Sequence, residues 1–235
     1  MVVDAGVKKS AMKIVIGTVL APFIAGGIIF WSAGTIDYPG AWVYVILLAI
    51  LNIPGYAMLY KRNPELLAHR ADWKKKKDAK TWDRALMPLW GMTALYATPI
   101  VAGLDYGRYH WSSLGTLSLV IGAILCTAGA LILFWAMFEN THFETTVRIQ
   151  SDREHKVIST GPYRYVRHPG YVGTILWGIS IPLMLGSVIA FGPAVVGIAL
   201  MIIRTFIEDL TLQRELPGYM EFTKKTRARI IPYLW

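Results

Sequence analysis

A chain of 235 residues that is 54% hydrophobic and 17% charged, with a mean hydropathy of +0.43, falls outside the range of ordinary soluble domains, in which about 25% of residues are charged. The net charge is +9, and a single cysteine excludes a disulfide framework and a thiolate metal cluster. What remains is a polytopic membrane protein with a strong basic bias.

Uncharged runs occupy residues 14–36, 38–60, 85–104, 111–138 and 169–203, with lengths of 23, 23, 20, 28 and 35. About 20 apolar residues cross a bilayer, so each run is long enough for a helix. Three lysines, Lys8, Lys9 and Lys13, precede the first run. That run is too long for the core of a secretory signal and reads as a retained span. The second run pairs with the first through an outer turn holding Asp37, Pro39 and Gly40. A polar connection follows, and its Lys74–Lys77 block reads as a solvated or lipid-facing basic loop. Spans three and four form a second hairpin with Asp105 to His110 outside, and Cys126 lies within the fourth.

The fifth run is different. As one helix it would reach about 50 Å, against a hydrocarbon core of about 30 Å. Gly186-Ser187 falls at its midpoint, with Pro182 before it and Gly192-Pro193 after it, and glycine and proline end helices. It therefore predicts a short helical hairpin over 171–203, and the chain an all-α membrane bundle of six helices. Before the hairpin, Thr146 to Gln150 alternates in polarity and suggests extended backbone. After it, Arg204 onward reads as a helix leaving the membrane, interrupted at Pro217-Gly218.

Orientation follows from charge. With both termini cytosolic, inside segments hold 23 of the 24 lysines and arginines, leaving only Arg108 outside. Anionic lipid headgroups account for that basic face without nucleic acid, and no feature calls for an obligate protein partner. The chain divides into helices 1–138, with a basic loop at 61–85, and a C-terminal core at 139–235. Polar residues concentrate at 142–171 and 204–229. These segments flank the same hairpin on one membrane face, so they must meet there.

Residues 161–173 read GPYRYVRHPGYVG. Proline suits the first position of a helix, and the residue before it is pushed out of helical geometry. Pro169 thus starts the fifth helix beside His168, with the amides of Gly170 and Tyr171 as free donors at a positive helix end. Gly170 and Gly173 permit a close approach of backbone or ligand. An interfacial anchor of aromatic and basic residues accounts for the same stretch. Across the hairpin, Arg204 and Glu208 share a helix face, with Asp209 adjacent. A plain ion pair is one reading. A ligand carrying both an ammonium and a carboxylate is the other: Glu208 for its cation, His168 and the helix start for its anion, and Tyr163 or Tyr171 for a ring or a cation. An amino acid or an amino-acid-containing cofactor fits, and S-adenosylmethionine is one such molecule.

Residues 161–173, followed after an apolar hairpin by RTFIEDLTLQRELPGYMEFTKKTRARIIP at 204–232, resemble the isoprenylcysteine carboxyl methyltransferase family of membrane enzymes. The likeness runs over about residues 140–232. It implies an S-adenosylmethionine pocket open to the cytosol, formed by Gln150, His155, Lys156, Val157, Ile158, Tyr163, His168, Pro169, Gly170, Tyr171 and Glu208. It also implies that Arg204 faces a lipophilic acceptor entering from the bilayer, with membrane lipids around it. Asp209 stands where a glutamate is common in the family, and the segment between Gln150 and His155 is shorter.

A carboxylate acceptor needs no general base, so positioning by Arg204 and removal of water suffice. An amine or thiol acceptor would need a base. His142 and Glu144 are the nearest candidates, and a satisfied loop histidine is the default reading of the former. No HxxxH or HExxH spacing supports a metal site. Two rival readings are a phospholipid-amine or small-thiol methyltransferase and an NADPH-dependent enzyme resembling sterol reductases. A Gly-rich dinucleotide fingerprint is absent.

Overall fold

The computed structural model describes residues 4–76 and 78–232, and among them it holds helices, turns and irregular backbone without a β-strand. Helix α1 (Ala5–Ala33) starts at Asp4, whose carboxylate accepts the Gly6 N–H at 2.6 Å, and ends at Gly34 with φ 72°. Arg108 closes the same end from outside the helix, donating to the Ser32 carbonyl at 2.7 Å and the Trp31 carbonyl at 3.1 Å. The one arginine expected on the outer face thus satisfies helix-terminal carbonyls. Helix α2 (Pro39–Arg62) folds back against α1. The short α3 (Pro64–Ala71) is capped by Asn63, whose side chain accepts the Leu66 N–H at 3.0 Å.

Helix α4 (Thr81–Gly91) continues into α5 (Thr98–Leu104) through a π-helical turn at Met92–Ala97. Pro99 has no N–H to offer the preceding turn, and the Thr98 hydroxyl instead donates to the Thr93 carbonyl at 2.8 Å. A second π-helical stretch, Asp105–Tyr109, ends at His110 with φ 51°. Helix α6 (Thr116–Glu139) is followed by an irregular segment at 140–168, in which the extended stretch expected at 146–150 joins no sheet. The remaining helices are α7 (Pro169–Met184), α8 (Phe191–Glu215) and α9 (Tyr219–Lys225).

Among the described residues, four segments have the length and composition to cross a membrane: residues 5–33, 39–62, 81–109 and 116–139. They reproduce the first four expected spans. Ile16, Phe23, Ile50, Ile124 and Leu131 stay exposed on them, as a lipid-facing surface requires. The expected hairpin is present as α7 and α8, with Gly186 at φ 68° in its turn. The pair that would bring the count to six does not meet that measure of length and composition. At 16 residues α7 is about 24 Å long, short of a hydrocarbon core of about 30 Å, and α8 carries charge through its second half. Helices α6 and α7 meet closely because Gly129 and Gly173 face each other: a Cβ on Gly173 would lie 2.5 Å from the Gly129 carbonyl oxygen. Cys126 is buried nearby with Tyr44, Ile181 and Met184.

Asp105 was expected in an outer turn and is instead fully buried. It accepts the Ser112 N–H at 2.8 Å and the hydroxyls of Ser112 and Ser187, tying the connection after α5 to the α7–α8 turn. A carboxylate is tolerated at such a place because donors replace its water. Of the basic block at 74–77, Lys77 and the side chain of Lys74 lie outside the described residues. Lys75 pairs with Asp72 at 2.9 Å, and Lys76 lies 3.8 Å from Glu144.

Candidate active site

The start of α7 is built as its sequence dictates. His168 is the residue before the helix and Pro169 its first position. The backbone preceding it is held by the chain's tail, because the N–H groups of Arg167 and His168 donate to the carbonyls of Ala228 and Arg229 at 2.9 and 3.0 Å. Asp209 of α8 anchors both parts. Fully buried, its carboxylate takes a two-pronged bond from Arg167 (2.7 and 2.8 Å), Nε of Arg229 (2.8 Å), the Tyr219 hydroxyl (3.0 Å) and Gln213 (2.7 Å). His168 Nε2 lies 3.2 Å from it as well. One side chain therefore joins the 161–171 segment, α8, α9 and the tail.

One turn earlier on α8, Arg204 is 5% exposed. Its partner is Asp83 near the start of α4, at 2.6 Å from Nε and 3.2 Å from Nη2, and Nη2 also donates to the Thr145 carbonyl at 2.9 Å. The Tyr171 ring lies 5.2 Å from the guanidinium carbon. Fully buried Asp83 accepts the Val147 N–H at 2.8 Å too. The intrahelical Arg204–Glu208 pair is not formed among the described residues; Glu208 instead accepts the Tyr171 hydroxyl.

The opposite wall is the irregular segment after α6. Gln150, 2% exposed, donates to the His142 carbonyl at 2.7 Å and accepts Arg153 at 3.0 Å. The rings of His142 and His155 lie 4.7 Å apart. Burial, then the adjacent His142 ring and Arg148, lower the His155 pKa to about 4, so its imidazole is neutral at physiological pH. Arg148 chelates Glu144 at 2.9 Å through both Nε and Nη2, and reaches Asp78 at 2.9 Å and Asp152 at 2.7 Å. These contacts, the Glu144 hydrogen bond first, hold its guanidinium pKa above the usual range. Glu144 is thus fixed inside a cationic cluster, and His142 hydrogen-bonds Gln150 at 3.2 Å.

These elements enclose a cavity of about 280 Å³, close to the lower end of the roughly 300–1,000 Å³ typical of small-molecule sites. All twelve residues singled out from the sequence line it: Gln150, His155, Lys156, Val157, Ile158, Tyr163, His168, Pro169, Gly170, Tyr171, Arg204 and Glu208. Glu208 is half-buried, and the Tyr171 hydroxyl is its one hydrogen-bond partner among the described residues. Burial raises the phenol pKa of Tyr163, which accepts from Asn140 at 3.1 Å.

One expectation needs revision. The Tyr171 amide is not a free donor, because it closes a tight first turn onto the His168 carbonyl at 3.0 Å. That leaves the amide of Gly170. Of the two close approaches expected, that at Gly173 is to backbone, the α6 carbonyl of Gly129, and that at Gly170 is to a side chain, where a Cβ would lie 2.3 Å from the Phe143 ring. Sequence reasoning passed over Asp83, took Asp209 only as a neighbour of Glu208 and Thr146 only as part of an extended stretch; all three help build the site.

The architecture is that of a helical protein with four membrane-length helices and a charged cavity where the C-terminal hairpin meets the segment after α6. Residues 106–214 match the model of the isoprenylcysteine carboxyl methyltransferase (ICMT) family, so the resemblance read from the sequence holds. The match begins earlier than residue 140 and stops short of the tail at 215–232. Protein-S-isoprenylcysteine O-methyltransferase of Dictyostelium discoideum is 34% identical over 89 residues, 36% of this chain and 38% of that protein. Protein-S-isoprenylcysteine O-methyltransferase B of Arabidopsis thaliana is 29% identical over 105 residues, 44% and 48% of the two chains. Cobalt-zinc-cadmium resistance protein CzcN of Cupriavidus metallidurans is 26% identical over 146 residues, 59% and 61% of the two. The chain therefore spans less than half the length of these two isoprenylcysteine methyltransferases.

Proposed function

We propose that the protein is an integral-membrane, S-adenosylmethionine-dependent methyltransferase that methylates the carboxylate of a lipophilic, isoprenylcysteine-type acceptor. The observation that carries this reading is the shared cavity. It gathers a half-buried carboxylate, Glu208, a buried guanidinium, Arg204, and the start of α7 at one place. The family match and the names of the relatives select the chemistry.

The residues fit the cofactor. Glu208 is not ion-paired to a protein cation among the described residues, and a partly desolvated carboxylate of that kind suits an ammonium group. Around it stand Tyr163, Tyr171, Tyr219 and Phe222, which offer faces to a ring or a cation. When bound, S-adenosylmethionine supplies an electrophilic methyl group on a sulfonium. Gln150 and the 155–158 segment would form its outer wall, with Gly170 N–H available to an anion. His168 has Nε2 committed to Asp209, which leaves Nδ1 for a ligand.

Arg204 holds the acceptor. Nε and Nη2 are spent on Asp83 and Thr145, so Nη1 is the free end among the described residues, and Asp83 fixes the plane of the guanidinium. A carboxylate acceptor arrives deprotonated, and alignment and exclusion of water do the rest. Glu144 is sequestered by Arg148 and offers no base for an amine or thiol. In this reading the α7–α8 pair completes a six-helix bundle, both termini and the cavity face the cytosol, and residues 139–235 form the catalytic core. The apolar lining by Met87, Trp90, Leu133 and Met201 gives the acceptor's hydrocarbon tail a path toward the bilayer.

Calorimetry of the purified protein tests the cofactor. Saturable binding of S-adenosylmethionine is expected. Binding of NADPH with no response to the sulfonium would instead favour the reductase reading.

A further inference from the structure

The contacts that fix Arg204 also fix a neighbour. Arg204 Nη2 holds the Thr145 carbonyl at 2.9 Å, and Asp83 holds the Val147 N–H at 2.8 Å. The backbone is thus pinned on both sides of Thr146, which lines the same cavity. Thr146 is 7% exposed, and its hydroxyl is the one buried side-chain polar atom among the described residues with no hydrogen-bond partner. Its surroundings are otherwise well satisfied: Gln150, Arg167, His168 and Asp209 all have partners. A hydroxyl buried this way has given up water for nothing, and valine would fill the same space without that loss. A threonine here makes physical sense if a ligand brings the missing partner.

We propose that Thr146 is an acceptor-binding residue whose hydroxyl donates to the carboxylate to be methylated, next to Arg204. This rests on the functional reading above and adds a specificity element to it. Thr146 belongs to the acceptor side because its flanking residues are bonded to Arg204 and Asp83, which join α8 to α4. A carboxylate has about four lone-pair sites on two oxygens. With Arg204 reduced to its Nη1 end, a second donor is needed to hold the acceptor in one orientation. The hydroxyl supplies it, and together the two donors favour a carboxylate over a neutral carboxamide of the same shape.

The test uses full-length protein in detergent micelles, labelled S-adenosylmethionine and N-acetyl-S-farnesylcysteine as acceptor. Thr146→Val is expected to raise the acceptor KM by about 10- to 100-fold, the effect of losing a hydrogen bond to a charged group. Calorimetric affinity for S-adenosylmethionine should stay within about twofold, and Thr146→Ser, which keeps the hydroxyl, within about threefold of the wild-type KM. The wild type should prefer the carboxylate to its carboxamide as a competing ligand, and Thr146→Val should narrow that preference. Should Thr146→Val not fold, Thr146→Ala carries the same expectation. An unchanged KM in the valine variant, an equal loss in the serine variant, or a shift confined to cofactor affinity would each overturn the proposal. If wild-type protein binds S-adenosylmethionine but leaves this acceptor unmethylated, the functional reading fails and takes this proposal with it. If the wild type transfers and Thr146→Val does so equally, this proposal alone fails.

Discussion

Replacing Asp83 by alanine removes a fully buried carboxylate and strands a guanidinium whose side chain is 6% exposed. Nε of Arg204 (2.6 Å) and the Val147 N–H (2.8 Å) lose their acceptor, and Nη2 (3.2 Å) keeps only the Thr145 carbonyl. Breaking a buried ion pair from one side costs about 3–5 kcal/mol, mostly because the other charge is left without compensation. Asp83→Ala and Arg204→Met should therefore each lower the unfolding free energy by about that amount. The double variant buries neither charge, so its loss should fall well below the sum, with a coupling of about 2–3 kcal/mol. Unfolding can be titrated in mixed micelles and followed by fluorescence of the nine tryptophans. Additive losses, within about 0.5 kcal/mol, would refute the claim that Asp83 and Arg204 form one buried unit.

Other expectations follow from the same geometry. Glu208→Ala should abolish calorimetric binding of S-adenosylmethionine, whereas Arg204→Ala, assayed on its folded fraction, should retain binding and lose about 100-fold or more in turnover. Normal binding and turnover in both variants would mean that the site lies elsewhere. Gly173→Ala places a Cβ 2.5 Å from the Gly129 carbonyl oxygen and should cost about 1–3 kcal/mol, read as a lowered thermal midpoint. With the folded-state pKa of His155 held at about 4, below its ordinary value of 6.5, the folded protein binds fewer protons than the unfolded chain between those values. Stability is accordingly full above pH 6.5 and falls as the pH drops toward 4, and His155→Phe should flatten part of that decline in thermal unfolding.

Local chemistry made much of this fold legible. Four uncharged runs became α1, α2, the α4–α5 segment and α6 because apolar length is decided residue by residue. Pro169 began α7, Gly186 turned the chain, and Pro217-Gly218 separated α8 from α9, each from its own backbone preference. The meeting of 142–171 with 204–229 followed from their flanking one hairpin. What escaped was pairing at long range. Asp83 lies 121 residues from Arg204, and nothing in its neighbourhood marks it; only the question of what compensates a buried Arg204 would have led there. Asp209 looked like a neighbour of Glu208 and instead holds together four parts of the chain. Asp105 read as a loop residue because its partners, Ser112 and Ser187, come from two other segments. A short hairpin was legible, but the exact length of α7 was not, because hydropathy does not show where in a long apolar run the turn consumes residues.

The central claim, carboxyl methylation at the cavity shared by Glu208 and Arg204, is tested most directly by the chemical lability of the product. Purified protein is incubated with methyl-labelled S-adenosylmethionine and N-acetyl-S-farnesylcysteine, and the extracted acceptor is treated with mild base. The account predicts label in the acceptor that is released as volatile methanol, the behaviour of a methyl ester, and its loss in Arg204→Ala. Base-stable label, or none in a protein that binds the cofactor, would contradict it.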